Sequence, residues 1–223
     1  MNTVVYRTAE QINSAMLNVY NNMFLAVVNS MIVSMLVASS PALMQFLFTG
    51  AMKWIVMFAP LIAILGLSFG MSKMTRSQAQ LALHGFAALM GLSFATIFVV
   101  FSIGSIVGAF MASAVLFATM SLYGYFTRRS LDSLGQWMFV GLIAIIIASI
   151  INIFVGSSVA QMVISALAIV IFLGLTAYDT QKIRELVSVD HNGNTEVVGA
   201  LTLYLDFINL FLNLLQLFGG RKE

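Results

Sequence analysis

The chain has 223 residues, of which 61% are hydrophobic and only 8% charged, with a net charge of +2 and no cysteine. A soluble domain carries about 25% charged residues, so too little charge is present to coat a water-facing surface, and an integral membrane protein is expected. The composition excludes disulfides, thiolate nucleophiles and Cys-ligated metals, and the dispersed charge is no footprint for nucleic acid.

In chain order, residues 1–18 form a polar N-terminal segment with Arg7, Glu10 and several Asn. It has no short apolar core followed by a small-residue cleavage site, so the first helix is expected to serve as an uncleaved insertion signal. Seven apolar segments follow, near 19–39, 54–71, 78–100, 104–126, 134–155, 159–182 and 198–218. They approach the ~20 residues a spanning helix needs, whereas a membrane barrel would alternate at period two. Residues 19–223 are therefore expected to form one all-α polytopic domain of seven transmembrane helices.

Polar or charged clusters mark the breaks: Ser39-Ser40-Pro41, Ser72–Gln78, Thr127–Ser133, Gly156-Ser157-Ser158 and Arg184–Glu196. The break at Phe101–Gly104 is weaker, a tight turn or an unusually short loop. Gly104, Gly108 and Ala112 form a small-xxx-small pattern that predicts close helix packing. Trp54, Tyr123, Tyr125 and Trp137 sit near segment ends as interfacial anchors. The HNGN stretch at 191–194 is turn chemistry, because Asn and Gly tolerate positive φ.

Lys and Arg counting sets the orientation. Arg7, Lys73, Arg76, Arg128, Arg129, Lys182 and Arg184 fall on one side, against Lys53, Arg221 and Lys222 on the other. The N-terminus is then cytoplasmic and, with seven crossings, the C-terminus outside. A last segment that dips in and returns would instead leave the tail cytoplasmic.

The seventh segment carries Asp206 in its middle, where an acid costs roughly 2.5–3.5 kcal/mol to insert. Thr202, Asp206, Asn209, Asn213 and Gln216 fall within roughly 80° on the helix, a polar stripe that must face protein or water. Interhelical bonding accounts for Asn213 and Gln216 but requires no ionisable group at 206. The sixth segment has a small or polar face of its own: Gln161, Ser165, Ala168, Thr176 and Asp179. Asp179 either snorkels or pairs with Lys182 or Lys73, or it meets Asp206. At ~1.5 Å per residue, Asp179 lies some 5–8 Å and Asp206 roughly 13 Å below the same boundary, within reach of one layer. His84 lies roughly 10 Å deep, either as a tuner of the acids' pH response or as a neutral, hydrogen-bonded bundle residue.

Two adjacent carboxyls in low dielectric share one proton and titrate as a unit. Protonated, the pair latches two helices together. Deprotonated, it repels itself and attracts a hard cation such as Ca²⁺. A pH-sensitive cation site or gate is the expected function, with Ca²⁺ bound only transiently and no cofactor.

The segments LTLYLDFINLFLNLLQLFG at 201–219 and GLTAYDTQKI at 174–183 closely resemble the Bax inhibitor-1 (transmembrane Bax inhibitor motif) family. The stretch from Met120 to Gly135 is similar to its bacterial inner-membrane branch. The resemblance covers the chain from the first helix onward. It implies a seven-helix bundle with the last helix central, and a pH-sensing Asp179–Asp206 pair on a Ca²⁺ leak path. It also implies a basic latch at the end of the second helix, Lys73 by ungapped counting or Arg76 as the alternative. Bacterial members are further associated with modulating a membrane-bound protease; anti-apoptotic roles belong to eukaryotic members and do not transfer.

Three functions are thus in view. The first is a pH-sensitive Ca²⁺ leak channel of the bacterial inner membrane, which is not an enzyme. The second is an interaction protein that restrains a membrane protease through residues 1–18. The third is an intramembrane aspartyl protease, suggested by Tyr178-Asp179 and Leu205-Asp206 on consecutive helices. This last reading is disfavoured because Leu203-Tyr204-Leu205 replaces the expected glycines and no proline follows either acid.

Overall fold

A computed structural model describes residues 6–190, 193–220 and 222, with the backbone alone at Ser72. Among these residues there is no strand. The helices are α1 (Ala9–Ala38), α2 (Pro41–Phe48), α3 (Met52–Gly70), α4 (Arg76–Phe94), α5 (Ile97–Val100), α6 (Ile103–Phe126), α7 (Asp132–Val155), α8 (Ser158–Val189) and α9 (Asn194–Phe218). Seven spans are long and apolar enough to cross a membrane, with α4 and α5 counted together. The fold is therefore an all-α polytopic membrane protein.

The first helix begins ten residues earlier than its hydropathy indicates. Thr8 caps it, accepting a bond from Gln11 N, while the Gln11 side chain accepts from Thr8 N. This capping box satisfies two of the orphan donors of the first turn, so residues 9–18 are helix. The weak break after Val100 is real: Phe101 is extended, and the Ser102 hydroxyl caps α6 by accepting from Ser105 N. Gly193 adopts the positive φ of 71° expected of the HNGN turn, whose His191 and Asn192 lie outside the described residues.

The chain divides into two compact units. The first comprises the described residues up to Phe101, those within 186–204, and Lys222. Here α1 packs closely on α4: Asn29 Nδ2 donates to His84 O at 2.8 Å and Ser30 Oγ to Ala87 O at 2.8 Å. A Cβ at Gly91 would lie 2.6 Å from Ser30 O, so only glycine permits this approach. The buried Tyr204 hydroxyl lies 2.7 Å from Ser30 Oγ. A separate apolar cluster of Val37, Leu47, Val56 and Ala95 joins α1, α2, α3 and the end of α4.

The ends of this unit are distinguishable. Lys222 Nζ donates to Phe98 O at 2.7 Å and its backbone N–H to Val100 O at 2.9 Å. Arg76, at the opposite end of α4, bonds Glu196 near the start of α9. The tail thus lies at the far end from Arg76, and α9 is one continuous helix. The dip-and-return alternative for the last segment does not occur.

The second unit comprises residues 102–185 and 205–220. Ile145, Ala168, Ile171, Phe172 and Leu175 pack α7 against α8. The small-xxx-small expectation is corrected here. Gly104 and Gly108 face open space, with nothing within 4 Å of a built Cβ. The close approaches lie elsewhere: Gly124 meets the Ala177 backbone, Gly135 the Tyr178 ring and Gly174 the Met138 side chain. A stripe of small residues shows that close packing is possible, while the direction of the helix face decides whether it happens.

That contrast gives a paired expectation. Gly124→Ala forces its methyl into the Ala177 carbonyl and should destabilise the protein by about 1–3 kcal/mol. Gly108→Ala meets nothing and should be neutral or stabilising by up to ~1 kcal/mol, because Ala is the better helix former. Thermal unfolding of the two variants in the same detergent separates these outcomes.

Candidate functional site: a buried carboxyl contact

The second half of α8 is held in register by its neighbours on both sides of Asp179. Ala177 and Thr180 are fully buried. Gly124 admits the Ala177 backbone, Gly135 lies against the Tyr178 ring, and Ser121 Oγ lies 2.9 Å from Thr180 Oγ1. Gln181 then pins the α6–α7 loop, accepting from Leu131 N at 2.8 Å and donating to Arg129 O at 2.9 Å.

On α9, Phe207 fixes the position next to Asp206. Its ring stands edge-on to Phe110 at 5.4 Å and to Phe117 at 5.7 Å between centroids. Asp206 is 4% exposed, and Asp179 is partly buried. The Asp206 and Asp179 carboxyls lie close enough to interact. Asp206 Oδ2 is buried without a partner. Ionised carboxylates accept only, so a carboxyl–carboxyl hydrogen bond requires a proton on one of the two. The alternative pairing of Asp179 with Lys182 is not taken, because Lys182 Nζ bonds Glu185 at 3.2 Å.

The polar stripe of α9 behaves differently from the expected interhelical glue. Thr202 Oγ1 donates to Val198 O at 3.2 Å, Asn209 Nδ2 to Leu205 O at 2.8 Å and Asn213 Nδ2 to Asn209 O at 2.8 Å. Each returns to its own helix, because the i−4 carbonyl is always within reach. Each amide thereby uses one of its two N–H donors on its own helix, and the side-chain oxygens of Asn209 and Asn213 are acceptors.

The other residues singled out by the sequence lie in the first unit. Lys73 is exposed at the end of a 3₁₀ turn, Met71–Lys73, and His84 is half-buried on α4. Arg76 donates through Nη2 to Glu196 Oε2 at 2.9 Å and lies across Gly193. Glu196 is the residue that sequence reasoning missed. Its side chain is 5% exposed and takes three donors: Arg76, Arg7 Nη1 at 3.3 Å and Asn18 Nδ2 at 3.1 Å. Arg7 also donates its backbone N–H to Ser188 O at 2.8 Å. The starts of α1, α4 and α9 are thus tied through one buried carboxylate.

Among the described residues, no group of three or more His, Cys, Asp and Glu comes together as a metal cage. Two carboxyls alone supply too few of the six to eight oxygens a resident Ca²⁺ takes.

Seven apolar spans and a buried carboxyl contact define an all-helical, multi-pass membrane protein. The family model described as "Inhibitor of apoptosis-promoting Bax1" matches residues 12–223, and the chain belongs to this Bax inhibitor-1 family. It is 37% identical to the inner membrane protein YbhL of Escherichia coli K12, over 93% of this chain and 92% of YbhL. It is also 37% identical to RP147 of Rickettsia prowazekii, over 96% of this chain and 92% of that protein. A membrane protein of Streptococcus pyogenes is 41% identical over 60% of each chain.

Proposed function

We propose that the protein is a pH-sensitive cation leak channel, passing Ca²⁺, in a bacterial inner membrane. The observation that carries this reading is the contact between Asp179 and the buried Asp206, which is a hydrogen bond only while one proton is held between them. With that proton present, the pair joins α8 to α9 and blocks a cation from the oxygen-lined face of α9. As pH rises and the proton leaves, two carboxylates repel in low dielectric, and the freed oxygens accept a cation. The leak therefore increases with rising pH. The reading assigns no bond-breaking step to the pair, and the chain is not an enzyme on this account. The inner-membrane relative YbhL supports the location. The excess of Lys and Arg at the Arg7–Arg76 end supports a cytoplasmic N-terminus, and the heavy burial of α9 supports a central last helix.

Ca²⁺ entry into proteoliposomes over a pH series tests the proposal. Entry that rises as external and internal pH are raised together supports it. Entry that falls or stays flat contradicts it.

The second reading, modulation of a membrane protease through residues 1–18, must accommodate the docking of Arg7 and Asn18 on Glu196. Deleting the segment removes two of the three partners of Glu196, so the deletion tests tethering and docking together. Charge-preserving substitutions on the exposed face of residues 9–17 isolate docking: lost protease modulation with intact ion flux would favour this reading.

A further inference from the structure

We infer that the α6–α7 loop and the end of α8 form a headgroup site for an anionic phospholipid. Arg128 and Arg129 are exposed, and their side chains make no ion pair or hydrogen bond among the described residues. Arg184, also exposed, donates Nη1 to Tyr125 O at 2.9 Å and lies over the Tyr125 ring at 5.0 Å. That contact places the guanidinium beside the loop. Gln181 holds the loop itself from both directions, through Leu131 N and Arg129 O.

The neighbouring acids are already engaged. Asp132 accepts from Ser130 Oγ at 2.8 Å, and Glu185 pairs with Lys182 at 3.2 Å. Two guanidinium groups on the pinned loop and a third beside it on α8, none ion-paired among the described residues, outweigh the single charge of Asp132, and the planar fork of each matches a phosphate in bidentate fashion. The flanks are apolar: Phe126 ends α6 at 71% exposed, and Trp137 stands on the second turn of α7 at 71% exposed. A free phosphate has no use for those surfaces, whereas a phospholipid places acyl chains there and its phosphate among the arginines. This site is independent of the carboxyl pair and of the proposed ion leak.

Native mass spectrometry of the full chain in detergent, titrated with phosphatidylglycerol or phosphatidylcholine, tests the inference. The wild type is expected to retain phosphatidylglycerol preferentially. Each arginine replaced by Gln should weaken that retention by about five-fold, on the order of a hundredfold for Arg128→Gln, Arg129→Gln and Arg184→Gln together. Lys53→Gln, in the first turn of α3, should leave it unchanged. Arg128→Gln and Arg129→Gln remove side chains without an ion pair or hydrogen bond among the described residues, so these variants keep the fold even where Arg184→Gln disturbs Tyr125. Equal retention of the two lipids, or unchanged retention in the Arg128→Gln/Arg129→Gln protein, would overturn the inference. So would binding of inorganic phosphate as tight as that of phosphatidylglycerol, which would mark a soluble-anion site instead.

Discussion

Asp206→Asn is expected to abolish the pH response of Ca²⁺ flux while leaving the protein folded. The amide has nearly the same shape as the carboxyl and can donate to Asp179 at every pH. The proton that makes the wild-type contact conditional is no longer needed, so the contact persists where the wild-type pair separates. A gate coupled to one proton shifts its equilibrium by up to about tenfold per pH unit. Over two pH units the wild type should therefore change its Ca²⁺ flux by ten- to a hundredfold, at order-of-magnitude precision, and Asp206→Asn by less than about twofold. Asp179→Asn should behave alike, because one amide on either side replaces the shared proton. Stopped-flow Ca²⁺ uptake on matched proteoliposomes checks this. A variant that retains the wild-type pH slope removes its residue from the gate.

Removal of Glu196 is expected to give the largest loss of stability. Its carboxylate is 5% exposed and binds two guanidinium groups, one of them, Arg7, only 12% exposed. Breaking a buried ion pair from one side leaves an uncompensated charge and costs about 3–5 kcal/mol. Glu196→Gln should approach the lower end of that range. Arg76→Gln should cost less, because the Arg76 side chain is 45% exposed and water already screens it. The double variant Arg76→Gln/Glu196→Gln should destabilise by less than the sum of the two, since both remove the same contact. Thermal unfolding of the four proteins in detergent measures the cycle. Strict additivity would show that the 2.9 Å contact contributes nothing.

The two effects fall on one helix. Glu196 lies in the first turn of α9 and Asp206 ten residues further along, about 15 Å at the helical rise. The acid at 196 also suits the positive end of the helix macrodipole. Glu196 ties the first turn of α9 to Arg7 and Arg76, while Asp206 lies in the helix interior.

Much of this architecture is written in hydropathy, because a spanning helix must be apolar for its whole length. The seven spans match the apolar segments to within a few residues, except where a helix outruns its apolar stretch. At α1 the extra turns are polar, and their signal is the Thr8–Gln11 capping box rather than hydropathy. The helix Pro41–Phe48 went unforeseen because eight residues are too few to span, although Ser40 before Pro41 is an N-terminal signal.

Cost and depth single out Asp179 and Asp206 in the sequence: an acid in hydrocarbon needs a partner, and two antiparallel helices place both acids in one layer. Glu196 gave no such warning. It sits in a polar stretch, and its donors are 120, 178 and 189 residues away. The Arg76–Glu196 contact was hidden for the same reason, since a sequence position shows a charge without its partner. Gly104 and Gly108 were misread because spacing identifies a stripe but not the face it presents.

Infrared difference spectroscopy observes the proposed shared proton directly. Reconstituted protein is titrated while the protonated-carboxyl band and Ca²⁺ flux are recorded on the same sample. One such band should disappear over the same pH interval in which flux rises, and it should be altered in both Asp179→Asn and Asp206→Asn. Flux that changes with pH while the band stays constant, or a band unaffected by both substitutions, would contradict the account.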